Sequence, residues 1–558
     1  MKKNIFIPFL LTMVLSSGFF AQDIKLSAEL SYDVKDNGYI EAIIHKDGSS
    51  VYIFRKRSKG KGIDYYIQKL NRSTFVEQAF NELKFPTDLG SPVDVVEHIF
   101  YKADHYYAYF STEDSPARYI SQFDLQGKCL KTFKLIDKAI LPDETARGYK
   151  NGQSTLSETV LSPDSNKILI ITRHIEASFG EKRYPWYVFD LAAWKPIGKS
   201  FNIDFVPDDY FKLRVFLDNQ GRVFYTKFAG GADEGAPKYV SVFDPTENEK
   251  RDFPIKLDNK QVTDFVFKLQ SEEQMEVAGL WKDASAGRGA FYATLDLKTE
   301  RLSKGFTYKF TPEDSKALFD GLVHKMDGVD GNLTEEDKSY KLFVVDFAHI
   351  PGKEDVNVLM ELTHSYEIGV TRENSSLAVY YKAAYFCNMG LIRLNSGTGS
   401  MVSIPRDLQS LCRIGITSHG KNSSEFVASP NFNFNKGLMY LINREDPILM
   451  VVNGRYGGMN ITGPSDVAYK NIREGKKTYP KVTTVVYSIK NNKISSSFPL
   501  GKTEDFYPQL NSKEDLLVAF KVPYFMNYPY VLPYLDGSDI VLPFYGHKTF
   551  VMGRLKVN

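Results

Sequence analysis

A chain of 558 residues with 70 Lys plus Arg against 68 Asp plus Glu has no charge surplus to draw it to nucleic acid or to an anionic membrane. Its 40 Phe and 34 Tyr, with frequent turn signals and few long helical periods, argue against a helical bundle. They fit stacked, twisted sheets, in which large flat rings fill the space between faces.

The first residues read as a processing signal. Lys2 and Lys3 supply a positive start, Ile5 to Phe20 an apolar core, and Ala21 a small residue before a cut ahead of Gln22. The segment resembles the secretory leaders of Gram-negative bacteria, which implies an exported chain in the periplasm, on the outer surface or outside the cell. The apolar run is short and broken by Pro8, Ser16, Ser17 and Gly18, so no transmembrane span is expected in the mature chain. Loss of Lys2 and Lys3 leaves 68 basic against 68 acidic residues, and any electrostatic partner must be recognised locally.

Along the mature chain, short apolar and aromatic runs alternate with turn residues. Tyr39 to Arg57 forms a hairpin around Lys46-Asp47-Gly48-Ser49, and Asp64 to Leu70 adds a strand. Thr74 to Leu83 reads as a short helix, because Thr74 and Glu77 match a capping box and Phe75, Val76, Ala79, Phe80 and Leu83 follow a helical period. A second unit uses Tyr106 to Ser111, Arg118 to Leu125 and Leu130 to Leu135. In the third, Lys167 to Arg173 is rich in β-branched residues and Tyr184 to Leu191 mixes aromatic with aliphatic ones, with Ile197 to Ile203 following. The fourth has Leu213 to Leu217, the turn Asp218-Asn219-Gln220-Gly221, Arg222 to Phe228, Tyr239 to Asp244 and Asp252 to Leu257. The fifth has Asp264 to Gln270, Glu276 to Trp281, Ala290 to Leu297 and Leu302 to Phe310.

A recurring mark is an apolar run ending in Asp at a turn: Asp190, Asp244, Asp296 and Asp346, roughly 50 residues apart, the spacing of a repeat architecture. Thr311 to Lys338 interrupts it. Thr311 with Asp314 makes a capping box, Pro312 sits at the first helical position, and Leu318, Phe319, Leu322, Val323 and Met326 share a helical face. Strands resume from Tyr340 and continue to Val557.

Four antiparallel strands in about 45 residues is the size of one propeller blade. The expected fold is therefore all-β: a single large β-propeller over 22–558, about eight four-stranded blades with a range of seven to ten, and a short helical insert near 311–338. Two smaller propellers divided near 311–338 are the alternative. Ile24 to Tyr32 and Thr549 to Val557 are the strands expected to close the ring by pairing. With Leu161-Ser162-Pro163-Asp164 as a representative blade turn, the chain resembles secreted bacterial β-propeller-type repeat proteins. That likeness implies an architecture and brings no functional motif.

Motifs for chemistry are sparse. No G-x-S-x-G nucleophile turn is present, and Gly198-Lys199-Ser200 and Gly501-Lys502-Thr503 lack the earlier Gly of a phosphate loop. No cofactor is expected. The nine histidines show no H-x-H or H-x-x-x-H pair and the cysteines no C-x-x-C, so no metal is expected, although ligands gathered from several blades would leave no trace in spacing. Asp327 to Asn332 resembles a calcium loop but puts Lys341 where the bidentate Glu belongs. Cys387 and Cys412 are a candidate disulfide that would leave Cys129 free; the alternative is three thiols packed as small hydrophobes.

Two segments are candidate binding sites. Arg55, Lys56 and Arg57 open a dense basic run through Lys61, expected on a hairpin tip where it would meet an acidic envelope glycan or phosphate; the alternative is a solvated strand edge. Tyr524, Tyr528 and Tyr530, among prolines, would stack sugars, or be buried between sheets. The leading functional expectation is a non-catalytic binding or scaffold protein whose partner is an envelope glycan or another protein, with no nucleic acid. The alternative is a carbohydrate-active enzyme with carboxylates gathered on the ring axis.

Overall fold

The computed structural model describes residues 24–26, 30–31, 39–59, 62–112, 117–136, 156–173, 185–202, 214–228, 237–285, 287–303, 305–319, 340–350, 352–371, 377–396, 398–406, 408–418, 439–442, 445–456, 482–500, 534–536, 539–545 and 549–556. The leader, residues 320–339 and the tyrosines 524, 528 and 530 lie outside this set.

Among the described residues, the strands form seven hydrogen-bonded sheets, the largest of which divides into two, giving eight units of about four strands in succession. The first comprises Tyr39–Lys46, Ser50–Lys59, Gly62–Asn71 and Glu77–Glu82. The second comprises Val93–Lys102, His105–Thr112, Arg118–Phe123 and Cys129–Ile136, and the third Leu156–Leu161, Lys167–Arg173, Pro185–Asp190 and Lys195–Asn202. Val215–Leu217, Val223–Phe228, Lys238–Asp244 and Glu249–Pro254 form the fourth. In the fifth, Gln261–Leu269, Gln274–Lys282 and Arg288–Asp296 are followed by an outer strand split into Arg301–Leu302 and Phe306–Lys309. The sixth (Tyr340–His349, Val356–Thr371, Leu377–Leu394, Gly399–Ile404) and seventh (Met439–Ile442, Ile448–Tyr456, Val482–Lys490, Lys493–Leu500) are joined through Leu408–Ser418, which pairs antiparallel with the long third strand of the sixth and parallel with the second strand of the seventh. The eighth holds Tyr534–Asp536, Asp539–Tyr545 and Thr549–Lys556, and its outer strand is Ile24–Leu26 from the other end of the chain, with Ile24 opposite Leu555. First strands of the first to fourth sheets lie against one another in succession, as do those of the fifth and sixth, as in a propeller.

Burial explains the composition. Along the second strand of each blade, alternate side chains enter opposite interfaces. Leu169 and Ile171 pack toward the fourth sheet with Trp186, Val223 and Tyr225, whereas Ile168 and Ile170 pack toward the second with Tyr107, Tyr109 and Ile120. Val277 and Met275 face the fourth sheet, and Ala278 and Leu280 the sixth. A strand covered on both faces has no solvent side, so its sequence is a continuous apolar run.

Of the Asp marks, Asp190, Asp244 and Asp296 are turn caps, whereas Asp346 is not: it lies within the strand Tyr340–His349, and its Oδ1 accepts from the next amide, Phe347, at 2.8 Å. Asp190 Oδ1 accepts from the Ala192 and Ala193 amides at 2.8 Å each, and Asp296 Oδ1 from Lys298 and Thr299 at 2.9 and 2.8 Å. Asp124 and Asp218 do the same in turns closed by Gly127 and Gly221 at φ +83° and +94°, where a side chain would be strained. The capping box also forms: Thr311 N–H donates to Asp314 Oδ2 at 2.9 Å and Asp314 N–H to Thr311 Oγ1 at 3.1 Å, opening helix α1, Pro312–Phe319.

Two further expectations are corrected. Thr74 to Leu83 is no helix: Phe75 takes φ +56°, and Glu77–Glu82 is the outer strand of the first sheet, with Phe80 stacked on Tyr66 at 4.9 Å. Sheet pairing with Tyr66–Leu70 outweighs a weak local helical preference. The Cys387–Cys412 disulfide is also ruled out. Cys412 stands opposite Lys382, five positions along the strand from Cys387, or roughly 16 Å at strand rise, far beyond disulfide reach. Cys129 and Cys387 are free thiols.

The sixth sheet contains a fully buried ion pair, Glu361 with Arg406. Arg406 N–H also donates to Asn388 Oδ1 at 3.2 Å, and Asn388 Nδ2 to the Leu318 carbonyl at the end of α1 at 3.0 Å. Glu361→Gln is expected to cost about 3–5 kcal/mol in urea unfolding, because it strands a buried guanidinium, while a Glu361→Leu, Arg406→Leu double variant costs less. Deleting residues 22–31 removes the strand that closes the eighth sheet and should lower the melting temperature; an unchanged value would refute closure by that strand.

Candidate functional site

The end of the ring formed by the turns between first and second strands is fastened from blade to blade. His45 stacks on Tyr101 with centroids 3.9 Å apart, joining the first and second sheets. Lys102 donates to Asn166 Oδ1, joining second and third. Lys167 Nζ donates to the Asn219 carbonyl at 2.6 Å, and Arg222 Nη2 to the Glu272 carbonyl at 3.1 Å. Lys268 meets Asp346 at 2.9 Å and the Phe347 carbonyl, and Lys353 pairs with Glu445 across the sixth and seventh sheets. Each joint is made by residues at or beside the same turn of neighbouring blades.

The seam between the fifth and sixth sheets carries the densest set of chemically versatile groups. Glu276 and Tyr292 lie on adjacent strands of the fifth sheet, with Glu276 opposite Thr294 and Tyr292 opposite Ala278, which puts both on the face toward the sixth sheet. On the sixth sheet's first strand, Val344 and Asp346 pair with consecutive residues Met360 and Leu359, so Val345 is a bulge. Before it Val344 faces the fifth sheet, and after it Phe347 does; His349 shares Phe347's face and therefore points at Glu276. Tyr292 Oη donates to Glu276 Oε1 at 2.7 Å and lies 2.9 Å from His349 Nε2, which is 2.6 Å from the same Oε1. Tyr292 and the Glu276 side chain are largely buried, whereas the His349 side chain is 41% exposed. Burial, reinforced by the hydrogen bond to Glu276, pushes the Tyr292 phenol well above its usual range, so it keeps its proton and serves as a donor.

Higher on the same seam, Asp264 follows another bulge and accepts from the Val344 amide at 2.8 Å, while Arg214 of the fourth sheet donates to the Val344 carbonyl at 3.2 Å. In the second sheet, Glu97 pairs with Arg118 at 2.5 Å, with both side chains buried. Next to it, the His98 ring keeps some accessible surface but lies deep among protein atoms, and burial pushes its pKa down to about 4.

The basic run is on a hairpin, since Arg57 stands opposite Asp64 and Lys59 opposite Gly62. The three residues do not share one exposed tip, however. Arg55 is 1% exposed with its guanidinium 5.8 Å from the Phe80 ring centre, Lys56 is half-buried, and Arg57 pairs with Asp64 at 3.1 Å and lies 4.6 Å over Tyr66. Burial and Asp64 push the Tyr66 phenol up to about 12. Tyr524, Tyr528 and Tyr530 lie outside the described residues. Glu276, Tyr292 and His349 went unnoticed in the sequence because their spacing spans two blades. No periodicity marks the Val345 bulge, because residues 342–345 are apolar at every position.

No protein-family model and no curated protein matches the chain. Among solved structures, it is similar to the β-propeller domain of the Trilobed protease from Pyrococcus furiosus at 10% identity, covering 71% of this chain and 97% of that one, with a TM-score of 0.31. The WD40 domain of SCAP from fission yeast matches at 10% identity over 69% and 82% of the two chains, with a TM-score of 0.25. The catalytic domain of a GH62 α-L-arabinofuranosidase from Coprinopsis cinerea matches at 11% over 49% and 90%, with a TM-score of 0.24. Among the described residues, no helix is long and apolar enough to cross a membrane.

The depressed His98 predicts a pH effect of definite sign. The native state holds the ring neutral to about pH 4, whereas the unfolded chain binds a proton below about 6.5. The stability is fully present above pH 6.5 and is lost as pH falls toward 4, by at most about 3 kcal/mol. His98→Phe should flatten the urea-unfolding midpoint over that interval; a profile as steep as the parent's would refute the assignment.

Proposed function

We propose that the chain is an exported, non-catalytic binding or scaffold protein of the cell envelope, with a glycan or another protein as its ligand. The observation that carries this reading is how the largely buried carboxylates within and between sheets are used among the described residues. Hydrolysis of a glycosidic bond needs two carboxyl groups facing each other across the substrate. Here Glu97 is held by Arg118, Glu361 by Arg406, Asp264 by the Val344 amide, and Glu276 by Tyr292 and His349. Each is engaged in holding strands or sheets together, a structural use of charge that favours a rigid frame over a reaction centre. Export rests on the leader-like start, and the unequal lengths of the connections between described strands suit a constant frame presenting variable surface.

The purified mature chain, screened against polysaccharides by affinity electrophoresis and reducing-end assay, should retard in at least one gel and release no new reducing ends. Turnover abolished by substitution of one inward Asp or Glu would establish the carbohydrate-active alternative instead.

A further inference from the structure

We propose that the Lys102 and Asn166 side chains react with each other to form an amide bond, which fastens the second blade to the third covalently. Lys102 is the last residue of the second sheet's first strand, and Asn166 ends the turn before the third sheet's second strand. This joint differs from the others at the fastened end in its acceptor. Lys167 and Arg222 reach main-chain carbonyls, and Lys268 and Lys353 reach carboxylates. Displacement at a main-chain carbonyl would cut the chain, and a carboxylate has no group that leaves without activation. A primary amide has one, since its nitrogen departs as ammonia and is diluted into solvent.

Asn166 is held at three points. Its side-chain oxygen accepts from Lys102 Nζ, its Nδ2 donates to Asp164 Oδ2 at 2.6 Å, and its main-chain carbonyl accepts from the Leu191 amide at 2.8 Å. A cation on one end of the amide and a carboxylate on the other fix which end is oxygen. An amine in contact with the amide oxygen lies about 3.5 Å from the amide carbon, a near-attack separation. Asp164 is held in turn: its Oδ1 accepts from Ser162 Oγ at 2.6 Å and from the Asn166 amide at 2.9 Å, and its own N–H donates to Asn219 Oδ1 at 3.0 Å. The reacting groups are therefore positioned before any chemistry begins.

The surrounding charges suit the proton traffic. Burial lowers the Lys102 pKa, and the charge of Lys167 adds to this against the pull of Asp164 and Asp190, so the free amine is more accessible than in an exposed lysine. Burial works against the Asp164 carboxylate, but hydrogen bonds from Ser162 and Asn166 and the charge of Lys167 hold its pKa below the ordinary value. Lys102 loses one proton to solvent, and its Nζ then bonds to the Asn166 Cγ. Asp164 takes a second proton from Nζ and passes it to Nδ2 as the Cγ–Nδ2 bond breaks. Ammonia leaves and takes up a proton from solvent, so charge balances and nothing is oxidised. The bond is independent of the binding role proposed above and stands or falls separately.

The test is tandem mass spectrometry of a tryptic digest of the folded, purified full mature chain. It should contain a branched peptide in which Phe85–Arg118, uncut at Lys102, is joined to Asn151–Lys167, lighter than the sum of the two by one ammonia. The denatured parent should also run faster on a reducing gel than Lys102→Arg, because the bond closes a loop between residues 64 apart. Lys102→Arg and Asn166→Ala should abolish the branched peptide, and Asp164→Asn should lower its yield at least about tenfold. Circular dichroism verifies the fold of the variants. A folded parent that yields only linear peptides cut at Lys102 would overturn the bond, and an undiminished yield from Asp164→Asn would overturn the proton route.

Discussion

The constraint on which this architecture depends is that the central strands of each sheet are apolar on both faces. Ile168 and Ile170 need the second sheet, and Leu169 and Ile171 the fourth. No blade covers itself, so each must be sandwiched by two others, and bulky rings such as Trp186, Phe189, Phe224 and Phe291 set the wedge between them. A run of sheets with this requirement ends without exposed apolar faces only if it closes on itself. The pairing of Ile24–Leu26 with Gly553–Leu555 joins the two ends of the chain in one sheet.

Polar groups refine what the apolar wedge begins. At the fastened end, a lysine, arginine or aromatic ring beside one blade's turn reaches the next blade's turn. Such exposed contacts are individually worth about 1 kcal/mol or less. They fix how far each sheet rotates relative to its neighbour, which apolar packing alone leaves loosely specified. The buried Glu361–Arg406 pair acts in the same sense in the sixth blade, where Asn388 and Ser403 also hold the last carbonyls of α1.

Much of this was legible in the sequence. Continuous apolar runs such as Lys167 to Arg173 gave strands in place, Asp190, Asp244 and Asp296 marked turns they do cap, and Thr311 with Asp314 announced α1. The misreading at Thr74 to Leu83 has a physical cause: an outer strand with one covered face and a positive-φ residue mimics a helical period over ten positions. The seam cluster was illegible for a different reason. Its members lie 16 and 57 residues apart, and a bulge, invisible to propensity, decides which way His349 points. Likewise, Arg55 belongs to a run that looks solvated by composition, yet it and Arg57 share one face of their strand, Arg55 buried over Phe80 and Arg57 paired across the hairpin.

The strand register that separates Cys387 from Cys412 has a practical consequence. Since these two thiols cannot cross-link in the native fold, cohesion there rests on packing and is indifferent to the redox poise of the surroundings. Thiol reagents can therefore serve as reporters of local opening at Cys387 without first breaking a native bond.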